Sequence, residues 1–306
     1  MQVVTYNIQW GMGRDGRVDL SRIADTVRSC DIICLQEVER HWRAMDHSDQ
    51  VARLAELLPD HHFAFAPSVD IADPTRLDKG ARRQYGLLTL SRWPILSSRV
   101  FPLSKYPVVG HLVDQSCLQE LIVVANGLPL RIYNTHLSYL SERQRQIQIT
   151  EVMRIVADAP RQGGPVCGIG VPDEDYFEDW MAVGREDLPD MPHPAMIFGD
   201  FNMRPNSPNY DLLVGPKDPY YGRLREEAMF SDVLTLTDHA EDWGITHPDD
   251  TRTGYMRIDH ILVTGELIPY VKKAWIDAEA DGSDHQPVFA LLAIDPNPRQ
   301  ASSDNP

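Results

Sequence analysis

Acidic, amide and imidazole side chains recur in this chain directly after short apolar, β-branched runs, where open α/β sheets build their sites. Thr5-Tyr6-Asn7-Ile8 ends a strand in an amide, and Leu35-Gln36-Glu37-Val38 ends one in a carboxylate. A hard cation such as Mg²⁺ takes oxygen ligands, usually one or two carboxylates with several waters, and Glu37 suits that role. Ile132-Tyr133-Asn134-Thr135-His136-Leu137 delivers an imidazole able to donate a hydrogen bond to a phosphoryl oxygen. In Ile197-Phe198-Gly199-Asp200-Phe201-Asn202, Gly199 permits close backbone approach, and Asp200 and Asn202 project to one side of an extended chain. A carboxylate and an amide so spaced can hold and orient an attacking water, the carboxylate accepting its proton. Gly282-Ser283-Asp284-His285-Gln286-Pro287-Val288 follows Arg257-Ile258-Asp259-His260-Ile261-Leu262-Val263. Asp284 offers another metal ligand, His285 can stabilise transferred charge, and a buried Asp259 can fix the tautomer of His285. Singly, Asn7 or Glu37 is an ordinary strand end and His136 an ordinary hydrogen-bonding histidine. The set as a whole is what carries the reading.

The elements that must position these groups can be read from periodicity. Strands are expected at Val3–Ile8, Asp31–Leu35, His62–Phe65, Tyr85–Leu90, Leu118–Ala125, Leu130–Asn134, Ala195–Phe198, Arg257–Val263, Val271–Ile276 and Val288–Ile294. Leu20, Ile23, Ala24 and Val27 keep the spacing of an amphipathic helix, with Asp19 as N-cap, and Val51, Leu54, Ala55 and Leu58 repeat it. The longest helical stretch begins after Ser141 and is expected to end near Ala157, ahead of Pro160 and Gly163-Gly164-Pro165. Strands following strands, mixed with helices, predict sheets packed together under helices rather than strict βαβ alternation.

With 306 residues, 42% hydrophobic and 24% charged, the chain has the composition of a globular protein with a large core, read as one domain over residues 1–294. Residues 160–194, rich in Gly, Pro and acidic residues with Tyr176, Phe177 and Trp180, read as an insertion or lid. Residues 295–306 read as a disordered tail. No apolar run approaches the roughly 20 residues of a membrane span, and no export signal is evident, so a cytoplasmic protein is expected. The net charge of −16, from 45 acidic and 29 basic residues, disfavours nucleic acid as partner. No protein partner is evident. Cys30 and Cys34 would share a face if both lay on a strand, but further ligands at zinc spacing are lacking, and buried thiols are the plainer account of the four cysteines. His61, His62 and His239 read as surface or structural, Arg82-Arg83 and Arg143-Arg145 as solvated charge, and Asp15-Gly16 as a turn.

Together the clusters resemble the endonuclease/exonuclease/phosphatase (DNase I-like) superfamily. TYNI, LQE, NTHL, GDFN, RIDHILV and SDHQPV stand in family order over roughly residues 2–294, and Tyr85 to Ile95 is similar to the LSR-P strand of that group. Leu87 stands where many bacterial members carry Asn, and no role is assigned to it. The resemblance implies a four-layer α/β sandwich, two mixed β-sheets packed face to face with helices outside. It implies a divalent-metal-dependent phosphoesterase using Mg²⁺ or Mn²⁺ and acting on a phosphodiester, a small molecule or a phospholipid headgroup. A nuclease and an inactive binding module on the same fold are the alternatives. Glu37 would bind the metal, with Asn7 and Asp284 in or near its shell. Asp200 would activate water and Asn202 orient it; His136 and His285 would contact the phosphoryl group, with Asp259 behind His285. Whether Asp200 or His285 is the formal base stays open at this level.

Overall fold

The computed structural model describes residues 1–76, 78–106, 114–165, 188–225, 228–249 and 254–294. Two six-stranded sheets carry the architecture. The first contains β1 (Gln2–Asn7), β2 (Ile32–Arg40), β3 (His62–Ala72), β4 (Arg82–Ser91), β11 (Val271–Ile276) and β12 (Val288–Leu292), in the order β11-β12-β1-β2-β4-β3. The second contains β5 (Ile95–Pro102), β6 (Cys117–Ala125), β7 (Leu128–His136), β8 (Ala195–Asp200), β9 (Ser231–Asp232) and β10 (Asp259–Val263), in the order β9-β10-β8-β7-β6-β5. Each sheet has one parallel pair at its centre, β1 with β2 and β7 with β8; the other pairings within these two sheets are antiparallel. Both sheets are therefore mixed, as expected.

Alternation along the strands decides the layers. Val3, Ile32, Cys34, Ile132, Phe198, Ile261 and Ala290 point between the sheets and form the central core. The opposite faces are covered by helices. Ile23, Ala24 and Val27 of α1 (Leu20–Val27) and Val51 and Leu54 of α2 (Gln50–Leu57) pack on Val4, Ile33 and Leu88 of the first sheet. Ile149, Val152 and Val156 of α3 (Glu142–Gln162) and Leu213 of α4 (Pro208–Val214) pack on Tyr133, Ile197 and Leu262 of the second. Asp19 caps α1 by accepting the Ser21 amide, the cap its sequence position suggests.

Several boundaries depart from expectation. Helix α3 runs to Gln162 with Pro160 inside it. Proline has no amide to give the carbonyl one turn back, that of Val156, and Arg131 Nη1 donates to that oxygen at 2.8 Å instead. Strands β3 and β4 are longer than their apolar runs because a bulge between Pro67 and Val69 carries the ladder past the proline. Strand β5 has no counterpart among the expected strands. Cys30 precedes β2 and packs on the helix side of the first sheet, whereas Cys34 faces the central core, so the two thiols do not share a face. Cys30, Cys34 and Cys117 are free and buried. Residues 166–187 of the expected insertion, with Tyr176, Phe177, Trp180 and Cys167, and residues 295–306 lie outside the described residues. Among the described residues no helix is long and apolar enough to cross a membrane.

Candidate active site

The C-terminal ends of both parallel pairs open on one edge of the sandwich. Across the second sheet His136, Asp200 and Asp259 are register neighbours on β7, β8 and β10. That row needs β7 and β8 unusually close, and Gly199 makes it possible: a Cβ there would lie 2.0 Å from the Thr135 carbonyl oxygen. In the first sheet, Asn7 ends β1, and Glu37 sits in a bulge of β2 between Leu35 and Val38 with φ +61°. The bulge leaves the carboxylate partly open at the strand end. Asp284 and His285 arrive on the turn before β12, which Ser283 ties to β1 by donating its hydroxyl to the Asn7 carbonyl oxygen at 2.7 Å.

These groups meet. Asn7 Nδ2 donates both to Glu37 Oε1 at 3.2 Å and to Asp200 Oδ2 at 3.0 Å, linking the two sheets through one amide. Its Oδ1 accepts the Gln9 amide at 3.1 Å, so Asn7 stands as a donor to the carboxylates rather than with its oxygen turned toward them. Gln9 Nε2 extends the chain to Asp284 Oδ2 at 2.8 Å. Asp200 Oδ1 accepts the Asn202 amide at 2.8 Å. His136 Nε2 lies 3.5 Å and His285 Nε2 3.8 Å from Asp200 Oδ2. His136 Nε2 also meets Asn202 Nδ2 at 3.1 Å. On the far side of its ring, His285 Nδ1 is 2.8 Å from Asp259 Oδ2, and Asp259 Oδ1 has no hydrogen-bond partner. Beneath this layer Gln36 donates to Asn134 Oδ1 at 2.8 Å, and Asn134 to Thr89 at 3.2 Å, a buried polar floor between the site and the apolar core.

Electrostatics follow from burial and neighbours. Burial and the Asp259 charge raise the pKa of Asp200; His285, His136 and the Asn202 amide offset this only in part. Burial opposes a charged His285, but Asp259, Asp200 and Asp284 outweigh it and hold its pKa at about 10. Burial likewise opposes the Asp284 carboxylate, yet His247, His285 and Ser283 bring its pKa below the ordinary value. Among the described residues no Lys or Arg forms an ion pair with Glu37, Asp200, Asp259 or Asp284. Carboxylates gathered this closely, with imidazoles but no Lys or Arg paired to them, suit a divalent ion. Two groups have donor atoms within 4.8 Å of one another, as metal ligation requires: Asp200, Asp259 and His285, all buried, and His247, Asp284 and His285. Glu37 belongs to neither group.

All the sequence-predicted site residues thus lie in one connected network. Added to them are residues with little sequence signal. His247, 3.7 Å from Asp284 Oδ2, reaches the site from the short strand His247–Asp249 and is not preceded by an apolar run. Tyr85 lines the recess beside Glu37 from β4, and Gln9 bridges Asn7 and Asp284. His61 and His239 bond to the Cys30 and Ala274 carbonyl oxygens, away from the site, and Asp15 pairs with Arg22 beside its turn.

The model of the Endonuclease/Exonuclease/phosphatase family matches residues 4–285. The chain belongs to that family. Its members hydrolyse phosphate esters and generally depend on divalent metal. Solved structures share the fold of the endonuclease/exonuclease/phosphatase chain. A member of the family from Beutenbergia cavernae is 22% identical with a TM-score of 0.60, covering 95% of this chain and 71% of that one. A mannosyl-6-phosphatase from Bacteroides thetaiotaomicron is 18% identical with a TM-score of 0.59, covering 95% and 99%. Truncated TDP2 from Caenorhabditis elegans is 18% identical with a TM-score of 0.56, covering 95% and 97%. No curated protein matches the chain.

Proposed function

We propose that the protein is a divalent-metal-dependent phosphoesterase that hydrolyses a small phosphate ester, a phosphodiester foremost, by in-line attack of water. The observation that carries the reading is the convergence on Asp200 Oδ2 of Asn7, His136 and His285, from both sheets, within 3.8 Å. A Bacteroides thetaiotaomicron protein of the same fold is a mannosyl-6-phosphatase, which supports this reading.

Glu37 and Asp284 would hold the cation, Mg²⁺ or Mn²⁺, with Asn7 at its edge. The Asp259–His285 bond is already made, which leaves the oxygen-rich Glu37 side as the better match for a hard ion. Bound there, the ion supplies charge neutralisation on the phosphoryl oxygens and leaving group. The remaining work belongs to side chains. Asp259 holds the His285 ring by Nδ1 and keeps Nε2 directed toward Asp200 and the cleft. Asp259, Asp200 and Asp284 favour the charged form of His285, in which it would act as a donor to the phosphoryl group. Asp200 would then accept the proton of the attacking water, and its raised pKa makes it a stronger acceptor than a solvated carboxylate. Asn202, fixed with φ +49° and bonded to the Leu137 carbonyl oxygen at 2.9 Å, orients the water, and His136 donates to a second phosphoryl oxygen.

The test is hydrolysis of bis(p-nitrophenyl) phosphate and p-nitrophenyl phosphate with Mg²⁺, Mn²⁺ or EDTA, using Asp200→Asn as control. Metal-dependent release of nitrophenol that disappears in the variant is expected. Release that persists in EDTA, or in Asp200→Asn at the wild-type rate, overturns the assignment.

A further inference from the structure

We propose that the recess beside Glu37 is the subsite for the alcohol half of the ester and takes a neutral, polyhydroxylated ring such as a pyranose. This rests on the phosphoesterase reading of the same site. The recess has a volume of about 390 Å³ and opens directly on Glu37. Its walls carry Trp10, Trp42 and Tyr85, and its polar groups are Glu39 and the side-chain amides of Gln9 and Gln115.

The walls are built to stay in place. Trp10 lies in the left-handed region with φ +52°, and Gln50 Nε2 donates to its carbonyl oxygen at 2.6 Å. Trp42 Nε1 donates to the Gln84 carbonyl oxygen at 2.7 Å, and the Arg83 guanidinium covers one face of its indole at 5.4 Å. The Tyr85 hydroxyl accepts from Gln115 Nε2 at 3.4 Å.

Two polar groups here lack partners. Glu39 is only 7% exposed, and its Oε2 has no hydrogen bond. The indole Nε1 of Trp10 is likewise buried without an acceptor. An unpaired buried acceptor and donor on one recess call for a ligand that both gives and takes hydrogen bonds. A hydroxyl does both, and the C–H face of a sugar ring lies flat on indole. A phenyl group would leave both unpaired. A quaternary ammonium would face Glu39 but give the Trp10 N–H no acceptor. A carboxylate or a phosphate dianion has no proton to give and would leave the Glu39 acceptor unpaired.

The experiment separates binding from turnover. Asp200→Asn protein in the presence of Mg²⁺ is titrated by tryptophan fluorescence with glucose 6-phosphate, mannose 6-phosphate, glycerol 3-phosphate, phenyl phosphate and phosphocholine. The hexose phosphates are expected to bind at least about tenfold more tightly than phenyl phosphate or phosphocholine. Adding Glu39→Ala lowers hexose phosphate affinity about tenfold, and the isosteric Glu39→Gln does so in part. Phenyl phosphate or phosphocholine binding as tightly as the hexose phosphates, no binding by any of them, or Glu39 variants that leave hexose affinity unchanged overturns the proposal. Turnover of the nitrophenyl esters by wild-type protein judges the other reading independently. A protein that binds hexose phosphates but cleaves no ester defeats the enzyme assignment alone. One that cleaves nitrophenyl esters without hexose preference defeats the recess alone.

Discussion

Two buried aspartate–histidine pairs use adjacent residues of β10 and come to opposite ends. Asp259 pairs with His285, and His260, next in the chain, pairs with Asp232. In the second pair both carboxylate oxygens and both imidazole nitrogens are bonded, although the neighbouring Arg257 Nε is unpaired. Asp232 Oδ2 accepts from Arg257 at 2.7 Å and from Tyr210 at 2.7 Å and meets His260 Nδ1 at 3.3 Å, while His260 Nε2 bonds to the Met203 carbonyl oxygen at 3.1 Å. In the first pair one carboxylate oxygen has no partner, and the second imidazole nitrogen lies no nearer than 3.8 Å to Asp200, beyond hydrogen-bond reach. Composition and burial are alike; what differs is completeness. A closed polar network fixes structure, whereas one with an open valence at a cleft is arranged to receive something.

This contrast can be broken by experiment, beginning with the largest effect. His285→Ala and Asp200→Ala are expected to reduce turnover by about 10³- to 10⁴-fold while the urea midpoint stays near wild type. A stability loss that accounts for the missing activity would put the open pair in the structural class as well. Asp232→Ala is the converse. It leaves the buried Arg257 uncompensated and should cost about 3–5 kcal/mol of stability in urea unfolding, with activity per folded molecule largely kept. Glu37→Gln should raise the metal concentration for half-maximal activity at least about tenfold, and an unchanged metal titration would remove Glu37 from the ion's contacts.

The pairs should also part on pH. Burial alone would raise the pKa of Asp232, but Arg257 and His260 hold it far below the ordinary carboxylate range. A pKa lower in the folded than in the unfolded state means stability that is complete above the unfolded carboxylate pKa and lost as pH falls below it. Thermal unfolding of wild type and Asp232→Asn from neutral to acid pH should therefore converge as acid is added. His285 is displaced the other way, to about 10, so its charged form persists across neutral pH and is lost as pH rises through that value. Asp259→Asn should draw the basic limb of the kcat profile toward neutrality, and an unmoved limb would assign it to another group. The smallest effect belongs to Tyr210→Phe, which removes one of several bonds to Asp232 and should cost about 1 kcal/mol.

What could be read from the sequence follows the same division. Asn7, Glu37, His136, Asp200, Asn202, Asp259, Asp284 and His285 were legible because each directly follows or interrupts an apolar run, or stands beside a residue that does. His247 and Tyr85 were not. One comes from a short strand outside the two large sheets, and the other reaches Glu37 only through pairing of β2 with β4. The end of α3 was misplaced because the partner that tolerates Pro160 is Arg131, on another element. The direction of the Asn7 amide, the choice between Asp200 and His285 as base, and the recess at Glu39 depend on distances and burial that spacing does not encode.

The bond from Asn7 to Asp200 spans 193 positions, and that from Ser283 to the Asn7 carbonyl spans 276. A chain emerging from the ribosome has β1 and β2 long before β12, which lies against β1 in the finished sheet. Asp259 and His285 are only 26 positions apart, but His285 comes beside Asn7 and Asp200 only when β12 closes onto β1, and closures of that length favour slow folding. Catalytic competence is consequently acquired in one late step, so a nascent or truncated product with intact early strands would be inert rather than partly active.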